Sequence, residues 1–319
     1  MKITVIGCGR WGSFIAYYLD KIGHDITIYG LADAPEMIRF LKERRNDLLT
    51  LSDTTKLSTD KSVVADAETI VISIGCQGLR SLMGELEELN LKNKNFVLCM
   101  KGIEIATGKR LSEIVSECTD PSNRIAVWLG PGHVQEFYRG VPNCMVIDSL
   151  DDELKISLVK SFSSDLIRFY YGTDLIGSEI GGAAKNVLGI AAGLLDGYSM
   201  TTLKGALMSR GTREIARLMK AMGGNELSAY GLCLLGDYEA TLFSKHSHNR
   251  AFGEMFAKGE KFGALAEGYY TVKALMVLRD RYQVDLPICT AIYEILYNGA
   301  DPKAELKTLF SRSLKWELE

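Results

Sequence analysis

The sequence has little of three features that would assign it to a specialised class of protein. No apolar run approaches the roughly 20 residues that cross a bilayer, because Gly, Lys or Asp interrupts the longest candidates. The seven cysteines are an odd number and form no C-x-x-C pair, which argues against zinc or redox sites. The formal charge is only −3, which argues against general binding of nucleic acid. We therefore expect no membrane span, no nucleic-acid partner and, without a signal peptide at the first residues, a cytoplasmic protein.

What the sequence does contain is the composition of an ordinary globular protein with two cores. Its 319 residues are 47% hydrophobic and 24% charged, and that length exceeds what one core usually serves. Short Val- and Ile-rich runs alternate with helical periodicity over residues 1–174, which predicts a Rossmann-like α/β domain with a doubly wound parallel sheet. Long helical segments over residues 175–319 predict an all-α domain. The predicted strands are residues 3–6, 26–29, 69–74, 96–100 and 125–129, with 144–147 and 167–170 as candidates for the far edge of the sheet.

The first predicted strand runs directly into a glycine-rich turn. Gly7, Gly9 and Gly12 form the pattern G-x-G-x-x-G, in which Arg10 and Trp11 precede the last glycine. By itself this pattern is compatible with a simple tight turn. Its position after an apolar strand and before an amphipathic helix, however, is where backbone N–H groups and the helix dipole bind a pyrophosphate. We therefore predict a bound dinucleotide.

The end of the second predicted strand bears on which dinucleotide is bound. An acidic residue usually holds the ribose hydroxyl at this position in NAD-binding proteins, but the chain reaches its first candidate, Asp33, only after residues 29–32. No arginine stands at the strand end to hold the 2′-phosphate of NADP, since Arg39, Arg44 and Arg45 lie further along. NAD is therefore the expected cofactor, with NADP as the alternative.

Two lysines stand in contexts that a purely structural role does not explain. Lys101 follows an apolar strand, at the edge where open parallel sheets present residues to ligands, and should face the cleft. Lys185 and Asn186 lie in a helical segment otherwise built of small and apolar residues. We expect that segment to be buried, with a solvated surface lysine as the alternative. Lys185 is therefore predicted to be an active-site lysine.

Further short motifs follow the glycine turn in order, at residues 77–80, 101–104, 130–131, 140–142, 181–187, 236–237, 249–250 and 267–268. Together with the turn they resemble the bacterial NAD(P)-dependent glycerol-3-phosphate dehydrogenases over nearly the whole chain. The resemblance implies a dinucleotide-binding domain followed by an all-α domain like the C-terminal domain of 6-phosphogluconate dehydrogenases. It also implies a homodimer that reversibly reduces dihydroxyacetone phosphate, a small phosphorylated substrate, to sn-glycerol 3-phosphate, feeding glycerophospholipid synthesis.

The same resemblance implies roles for individual residues. Lys185 matches the family's proton donor and acceptor, Asp237 matches a residue beside it, and Lys101 matches a residue that contacts both substrate and cofactor. The other implied substrate-binding residues are Asn186, Thr241, Ser247, Asn249 and Arg250, of which the last two would help to hold the phosphate. The implied cofactor contacts are Gly7, Gly9, Arg10, Trp11, Gly12, Leu31, Lys101, Gly130, Val134, His248 and Glu267.

The chain departs from the family pattern in three segments. Bacterial members usually read Ser-Arg-Asn where this chain reads Ser247-His248-Asn249, so a histidine replaces an arginine of the phosphate or cofactor site. An ordinary histidine is mostly neutral at pH 7, whereas arginine is permanently charged and offers phosphate a two-pronged fork. The other departures are residues 73–77, where a Val-Pro-Ser-Gln type of segment is usual, and residues 129–133, where a Ser-Gly-Pro start is usual.

The expected chemistry is hydride transfer between the nicotinamide C4 and the substrate C2, with Lys185 exchanging the proton on the C2 oxygen. A lysine with the ordinary pKa of about 10.4 is protonated at pH 7 in all but about one molecule in two thousand. Asp237 nearby would favour the charged form further. The residue set therefore favours reduction, unless burial lowers the pKa of the lysine.

Three alternatives remain open at the level of the sequence. The substrate could be another small keto or hydroxy acid, as in the 6-phosphogluconate and ketopantoate dehydrogenase relatives. The chain could also be a catalytically silent, cofactor-binding regulator, although the intact lysines argue against it. Finally, His246 and His248 could seed a metal site, but no Cys, Asp or Glu stands at ligand spacing beside them.

Overall fold

The computed structural model describes residues 1–314 and residue 316, and its first half is built on one eight-stranded sheet. The strands are β1 (Lys2–Ile6), β2 (Asp25–Tyr29), β3 (Lys56–Ser58), β4 (Thr69–Ile72), β5 (Asn95–Leu98), β6 (Arg124–Leu129), β7 (Asn143–Asp148) and β8 (Ile167–Tyr171). Across the sheet they lie in the order β3-β2-β1-β4-β5-β6-β7-β8. The helices of this half are α1 (Arg10–Lys21), α2 (Pro35–Glu43), α3 (Leu79–Leu86), α4 (Leu111–Cys118), α5 (Val134–Tyr138) and α6 (Asp152–Phe162).

The predicted doubly wound α/β fold is confirmed, with differences at the strands. The runs at residues 144–147 and 167–170 are indeed strands, β7 and β8, and they extend the sheet at its far edge. β7 is antiparallel to β6, however, so the sheet is not parallel throughout. β4 and β5 each end two residues earlier than predicted, at Ile72 and Leu98. The three-residue β3 was not predicted, because Leu57 is its only apolar residue.

The order of the strands locates a crevice in this domain. β1 lies between β2 and β4, so the chain proceeds to one side of β1 through β2 and β3 and then crosses to the other side. At such a switch point the connections leave the strands in opposite directions, and ligands bind in the crevice outside the carboxyl ends of the strands. Every residue of β4 and all but the first of β1 are buried, which makes this part of the sheet a rigid base for the turns above it.

The second half is helical, as predicted, and residues 172–314 contain no strand. A Cβ at Gly193 would lie 2.0 Å from the carbonyl oxygen of Arg250, and one at Gly253 would lie 2.2 Å from that of Ile190. Glycine at these positions therefore lets two helices pack backbone against backbone. The helices are α7 (Leu175–Gly197), α8 (Lys204–Ala221), α9 (His248–Ala257), α10 (Glu267–Tyr282), α11 (Pro287–Tyr297) and α12 (Pro302–Phe310); the close pair is α7 and α9.

The change from sheet to helices occurs between β8 and α7. β8 ends at Tyr171 and α7 begins at Leu175, and the helices have a hydrophobic cluster of their own, separate from the clusters on the two faces of the sheet. The predicted boundary between residues 174 and 175 thus lies directly before α7, while residues 315 and 317–319 of the predicted second domain lie outside the described residues. Within the described part of the chain, no helix has both the length and the apolar character needed to span a bilayer.

Candidate active site

The glycine turn after β1 is shaped by close backbone contacts. Gly7 has a φ of 103°, and its N–H donates to the carbonyl of Tyr29 at 3.0 Å. A Cβ at Gly7 would lie 2.3 Å from the carbonyl oxygen of Ser73, and one at Gly12 would lie 2.1 Å from that of Gly7. The space beside Gly9 is open, and Gly9 precedes α1 without a side chain that caps the helix. The first N–H groups of α1 are therefore available to a pyrophosphate, and the turn fits a dinucleotide.

An exposed carboxylate lies shortly after β2, and Arg39 and Arg44 of the following segment have partners there. Leu31 is 58% exposed directly beyond the strand, and Asp33 follows it in an exposed turn. The guanidinium of Arg39 lies 2.7 Å from an Asp47 carboxylate oxygen. The guanidinium of Arg44 donates to a backbone carbonyl at 2.7 Å. These arginines are thus engaged within their own segment, an arrangement that suits NAD better than NADP.

Two lysines from different domains share one buried carboxylate. Lys185, in the middle of α7, has its Nζ 2.8 Å from Oδ2 of Asp237 and donates to the Thr241 hydroxyl at 2.8 Å. Lys101, just after β5, has its Nζ 2.6 Å from the same Oδ2 and donates to the carbonyl of Gly130 at 2.7 Å. Lys185 is 8% exposed and Asp237 is 1% exposed. The predicted burial of Lys185 is confirmed, and the alternative of a solvated surface lysine is wrong.

Irregular helical turns carry Asp237 and Thr241 into this arrangement. Asp237 ends a 3₁₀ turn, Leu235–Asp237, and Thr241 lies in the middle of a π-helical turn, Glu239–Phe243. Single π turns of this kind are frequent at functional sites. On the facing helix, a Cβ at Gly182 would lie 3.7 Å from the side chain of Lys101. Gly182 of α7 therefore lies next to a lysine of the sheet domain, at a distance where a methyl group would make ordinary contact.

Burial lowers the pKa of Lys185 to about 8, with Lys101 acting in the same direction and Asp237 opposing it. The exception left open in the sequence, a lysine pKa lowered by burial, therefore applies, because the cost of removing the ammonium group from water exceeds the attraction of one carboxylate. At pH 7 about ten molecules in eleven carry the proton, and at pH 8 about half do. Both the proton donor needed for reduction and the proton acceptor needed for oxidation are then populated.

Asn249, near the start of α9, joins three helices. Its Nδ2 donates to Oδ1 of Asn186 on α7 at 3.0 Å, and its Oδ1 accepts from the N–H of Gly268 on α10 at 2.8 Å. Ser247 precedes α9 as its N-cap, and its hydroxyl accepts from the N–H of Arg250 at 3.3 Å. Two predicted substrate-binding residues are thus directly bonded, and a third orders the helix that carries one of them.

Arg250 does not line the cavity between the domains and instead contacts two carboxylates, those of Asp196 and Glu254. Its Nη1 lies 2.9 Å from Oδ2 of Asp196 and 2.7 Å from Oε2 of Glu254, and its Nε donates to the carbonyl of Ser244 at 3.1 Å. Burial disfavours the charged guanidinium, but the hydrogen bonds to Asp196 and Glu254 outweigh it and raise the pKa of Arg250. Its implied contact with the substrate phosphate stays a prediction, since the structure gives this arginine two acidic partners.

Arg10 and His248 connect the glycine turn to the helical domain. Nη1 of Arg10 lies 2.7 Å from Nε2 of His248, the first residue of α9. The other ring nitrogen of His248, Nδ1, lies 3.2 Å from the carbonyl oxygen of Leu265. The residue that departs from the family pattern is therefore in direct contact with the residue that opens α1.

A second contact between the domains involves Glu267, the first residue of α10. Its carboxylate accepts from the Cys76 thiol at 3.1 Å. Burial raises the pKa of Glu267, and it raises the pKa of Cys76 to about 12 with a contribution from the neighbouring Glu267. The family resemblance implies that Glu267 contacts the cofactor, and the structure shows that it faces the segment after β4, where this chain departs from the family.

Many of the predicted residues meet at a cavity of about 210 Å³ between the domains. A cavity of this size is small beside the pockets that hold drug-sized ligands. A larger cavity of about 440 Å³, with a mainly apolar lining from α8, α11 and α12, lies away from these groups. The smaller cavity is lined by Arg10, Trp11, Gly132, His133, Val134, Lys185, Asp237, Ala240, Thr241, His246, Ser247, His248 and Asn249; Gly7, Gly9, Gly12, Leu31, Lys101, Gly130, Asn186, Arg250 and Glu267 are not among its lining residues.

Two histidines of this lining were not predicted as site residues. The rings of His133 and His246 lie 5.6 Å apart at 67°, and burial lowers the pKa of His133. The signal for His133 was its place directly after the strand-end sequence Gly130-Pro131-Gly132, which points at the same crevice as Lys101. In the part of the chain that the structure describes, no three potential metal ligands come together.

Comparisons with known proteins identify the family of the chain. Family models described as the N-terminus and the C-terminus of NAD-dependent glycerol-3-phosphate dehydrogenase match residues 2–155 and 174–307. A glycerol-3-phosphate dehydrogenase (NAD(P)+) of Prosthecochloris aestuarii is 35% identical over 335 residues, covering 100% of both chains. One from Thermoanaerobacter sp. is 34% identical, covering 100% of this chain and 99% of that protein.

The solved structures show the same likeness at the level of the fold. The structure of glycerol-3-phosphate dehydrogenase from Coxiella burnetii matches with a TM-score of 0.91 at 24% identity, covering 97% of this chain and 98% of that chain. Because matches extend through the sheet domain, the helical domain and the residues around the cavity, the chain belongs to the NAD-dependent glycerol-3-phosphate dehydrogenase family, whose members are NAD(P)-dependent oxidoreductases.

Proposed function

We propose that this protein reversibly reduces dihydroxyacetone phosphate to sn-glycerol 3-phosphate with NADH. The observation that carries the proposal is the ammonium group of Lys185, which lies in the cavity 2.8 Å from Asp237 and 2.8 Å from Thr241. Arg10 and Trp11 line the same cavity and belong to the glycine turn, whose shape fits a dinucleotide. Membership in the family supports this reaction among those that a buried lysine and a nicotinamide cofactor can perform.

Lys185 acts as the proton donor in the reduction. Bound NADH supplies the hydride that reaches the substrate C2. Lys185, mostly protonated at pH 7 with a pKa of about 8, gives its proton to the C2 oxygen, so that the ketone becomes a secondary alcohol. The neutral amine then recovers a proton from solvent. In the oxidation the neutral amine instead takes the hydroxyl proton, as microscopic reversibility requires.

The neighbours of Lys185 hold it in position and bind the substrate. Asp237 fixes the ammonium group and, through Lys101, ties it to the end of the sheet. Thr241 and Asn249 line the cavity with a hydroxyl and an amide, which are donors and acceptors suited to the substrate hydroxyl and carbonyl. Asn186 supports Asn249 from α7, so we assign it to orienting the site.

Three further proposals accompany this function. We favour NAD over NADP, because Asp33 is an exposed carboxylate shortly after β2 and Arg39 is paired with Asp47. The seven cysteines are free thiols, which fits a reducing cytoplasm. The family resemblance supports a homodimer, a role in glycerophospholipid synthesis, and the division into residues 1–174 for the cofactor and 175–319 for the substrate.

An NADH oxidation assay tests the proposal directly. The purified protein should oxidise NADH with dihydroxyacetone phosphate at a much higher kcat/KM than with unphosphorylated dihydroxyacetone, and NADPH should be the poorer cofactor. Activity on unphosphorylated ketones or keto acids alone would overturn the substrate, and a lower KM for NADPH would overturn the cofactor preference. The keto-acid alternative is kept as an outcome because Arg250 is paired with acidic residues rather than lining the cavity.

A further inference from the structure

The cavity beside Lys185 contains a permanently charged side chain that no carboxylate of the described residues neutralises. Its lysine and arginine lining residues are Lys185 and Arg10. Lys185 is paired with Asp237, whereas no carboxylate of the described residues forms an ion pair with Arg10, whose side-chain contact is His248 at 2.7 Å. A guanidinium in this state is a binding group for a phosphate or carboxylate, because its fork matches their oxygens.

His248 positions this guanidinium without adding charge. Arginine can only donate hydrogen bonds, so Nε2 of His248 must be the acceptor from Arg10. The ring is then neutral with its proton on Nδ1, which donates to the carbonyl of Leu265 at 3.2 Å. The histidine is therefore fixed at both nitrogens. It holds one N–H of Arg10 at the start of α9 and leaves the others for a ligand.

The surroundings of Arg10 identify which phosphate it faces. Its backbone belongs to the glycine turn, but Gly7 and Gly9 do not line the cavity that its side chain enters. That cavity is shared with Lys185 and Thr241, the groups assigned above to the reacting end of the substrate. Backbone N–H groups at the start of α1 serve a pyrophosphate without any side chain. The side chain is therefore free for a different anion.

We propose that Arg10 binds the phosphate group of the substrate, with His248 as its positioning residue. This inference rests on the proposed function and revises the expectation that both residues contact the cofactor. It accounts for the histidine at position 248: a neutral acceptor there holds a cation supplied by the sheet domain, whereas a second arginine would repel it. The proposal also supplies a phosphate-binding cation in place of Arg250, whose charge is already balanced by Asp196 and Glu254.

The test compares Arg10→Gln with Arg10→Lys, His248→Ala and the control Arg168→Gln, which removes an exposed arginine from β8. For each full-length variant, kcat and KM are measured with dihydroxyacetone phosphate and with dihydroxyacetone. The Kd of NADH is obtained by fluorescence, and the Kd of inorganic phosphate for the NADH complex by calorimetry. Thermal unfolding of each variant shows that it is folded.

For Arg10→Gln we expect KM for dihydroxyacetone phosphate and the Kd of inorganic phosphate to rise by about 10- to 100-fold, the effect of losing a charge-assisted hydrogen bond or two. The preference for the phosphorylated over the unphosphorylated ketone should fall by the same factor, while the Kd of NADH changes far less. Arg10→Lys should lie between wild type and Arg10→Gln, because it keeps the charge and loses the fork. Arg168→Gln should match wild type in every measurement.

His248→Ala should raise KM for the phosphorylated ketone with little change in kcat, and this effect should vanish in the Arg10→Gln background, since the histidine acts through Arg10. Additive effects of the two substitutions would overturn the positioning role. A rise in the NADH Kd as large as the rise in KM, or an unchanged preference for the phosphorylated ketone, would overturn the assignment of Arg10. If wild type does not turn over dihydroxyacetone phosphate, the proposed function fails, and the phosphate titration alone then decides: weaker binding by Arg10→Gln upholds Arg10 as the anion-binding residue, and equal binding rejects it.

Discussion

The sheet domain and the helical domain build the two sides of the candidate active site by different means. On the sheet side the shape is set by backbone: a Cβ at Gly7 or Gly12 would lie 2.3 Å or 2.1 Å from a carbonyl oxygen. On the helical side the chemistry is set by buried charges, with Lys185 2.8 Å from Asp237. A backbone-built site is therefore sensitive to added atoms, whereas a charge-built site is sensitive to the loss of a single ionisable group. Arg10 and Lys101 are the exceptions. They are charged side chains of the sheet domain that contact residues of the helical domain, His248 and Asp237.

The largest expected effect comes from removing the charge on the helical side. Lys185→Ala should lower kcat for dihydroxyacetone phosphate by about 10³-fold, the usual contribution of a general acid. NADH binding should stay near that of wild type, because the glycine turn does not depend on α7. Steady-state kinetics and a fluorescence titration with NADH measure the two effects separately.

Lys155→Ala is the matched control for this substitution. Lys155 is also a buried lysine with a carboxylate partner, 2.8 Å from Asp152, but it lies on α6 and does not line the cavity. Its loss should leave kcat unchanged. Near-normal turnover by Lys185→Ala would show that another group exchanges the proton. A loss of NADH affinity as large as the loss of kcat would remove the distinction between the two sides.

The same difference explains what the sequence could and could not predict. Glycine spacing after an apolar strand reports a backbone shape directly, so the turn at Gly7, Gly9 and Gly12 was predictable residue by residue. Lys185 was predictable because a charge among small residues on one helix is a local pattern. By contrast, β3 was missed because Lys56–Ser58 has almost no apolar pattern, and it is a strand only because β2 offers it a free edge.

Partners of long charged side chains were the hardest feature to predict. The family resemblance placed Arg250 near a phosphate, yet Asp196 and Glu254 compete for its guanidinium and hold it. The family resemblance grouped Arg10 with the cofactor contacts. In the structure its side chain also contacts His248, which lies 238 positions away in the chain. Such choices depend on which acceptors the tertiary structure brings within reach, and one sequence does not contain that information in any local pattern.

A smaller effect is expected from a matched pair on the sheet side, Gly12→Ala and Gly9→Ala. A Cβ at Gly12 would be forced against the carbonyl of Gly7, so Gly12→Ala should lower the free energy of unfolding by about 1–3 kcal/mol. Gly9 has open space, so Gly9→Ala should change stability by less than about 0.5 kcal/mol. Its methyl group would nevertheless stand beside the first N–H groups of α1. The Kd of NADH should then rise about tenfold, the equivalent of one weakened charge-assisted hydrogen bond.

Denaturant unfolding and NADH titration distinguish the members of this pair. Equal stability of the two variants would mean that the turn relaxes around the added atom, and the sheet side would then be less rigid than its contacts indicate. Unchanged NADH affinity in Gly9→Ala would mean that the cofactor does not approach the start of α1.

The smallest effect is the decrease of kcat by about twofold between pH 7 and pH 8, and it tests how the two sides are coupled. Because burial lowers the pKa of Lys185 to about 8, kcat for reduction should be constant below that pH, fall to half near pH 8, and then decrease about tenfold per unit. Oxidation of glycerol 3-phosphate needs the neutral amine, so its rate should rise through the same pH. Asp237→Asn removes the carboxylate that opposes the lowering, and should move both limbs to lower pH. Limbs that stay near pH 10 in the wild type would show that the lysine remains hydrated, and that the contact of Lys101 with Asp237 does not close the cavity to water.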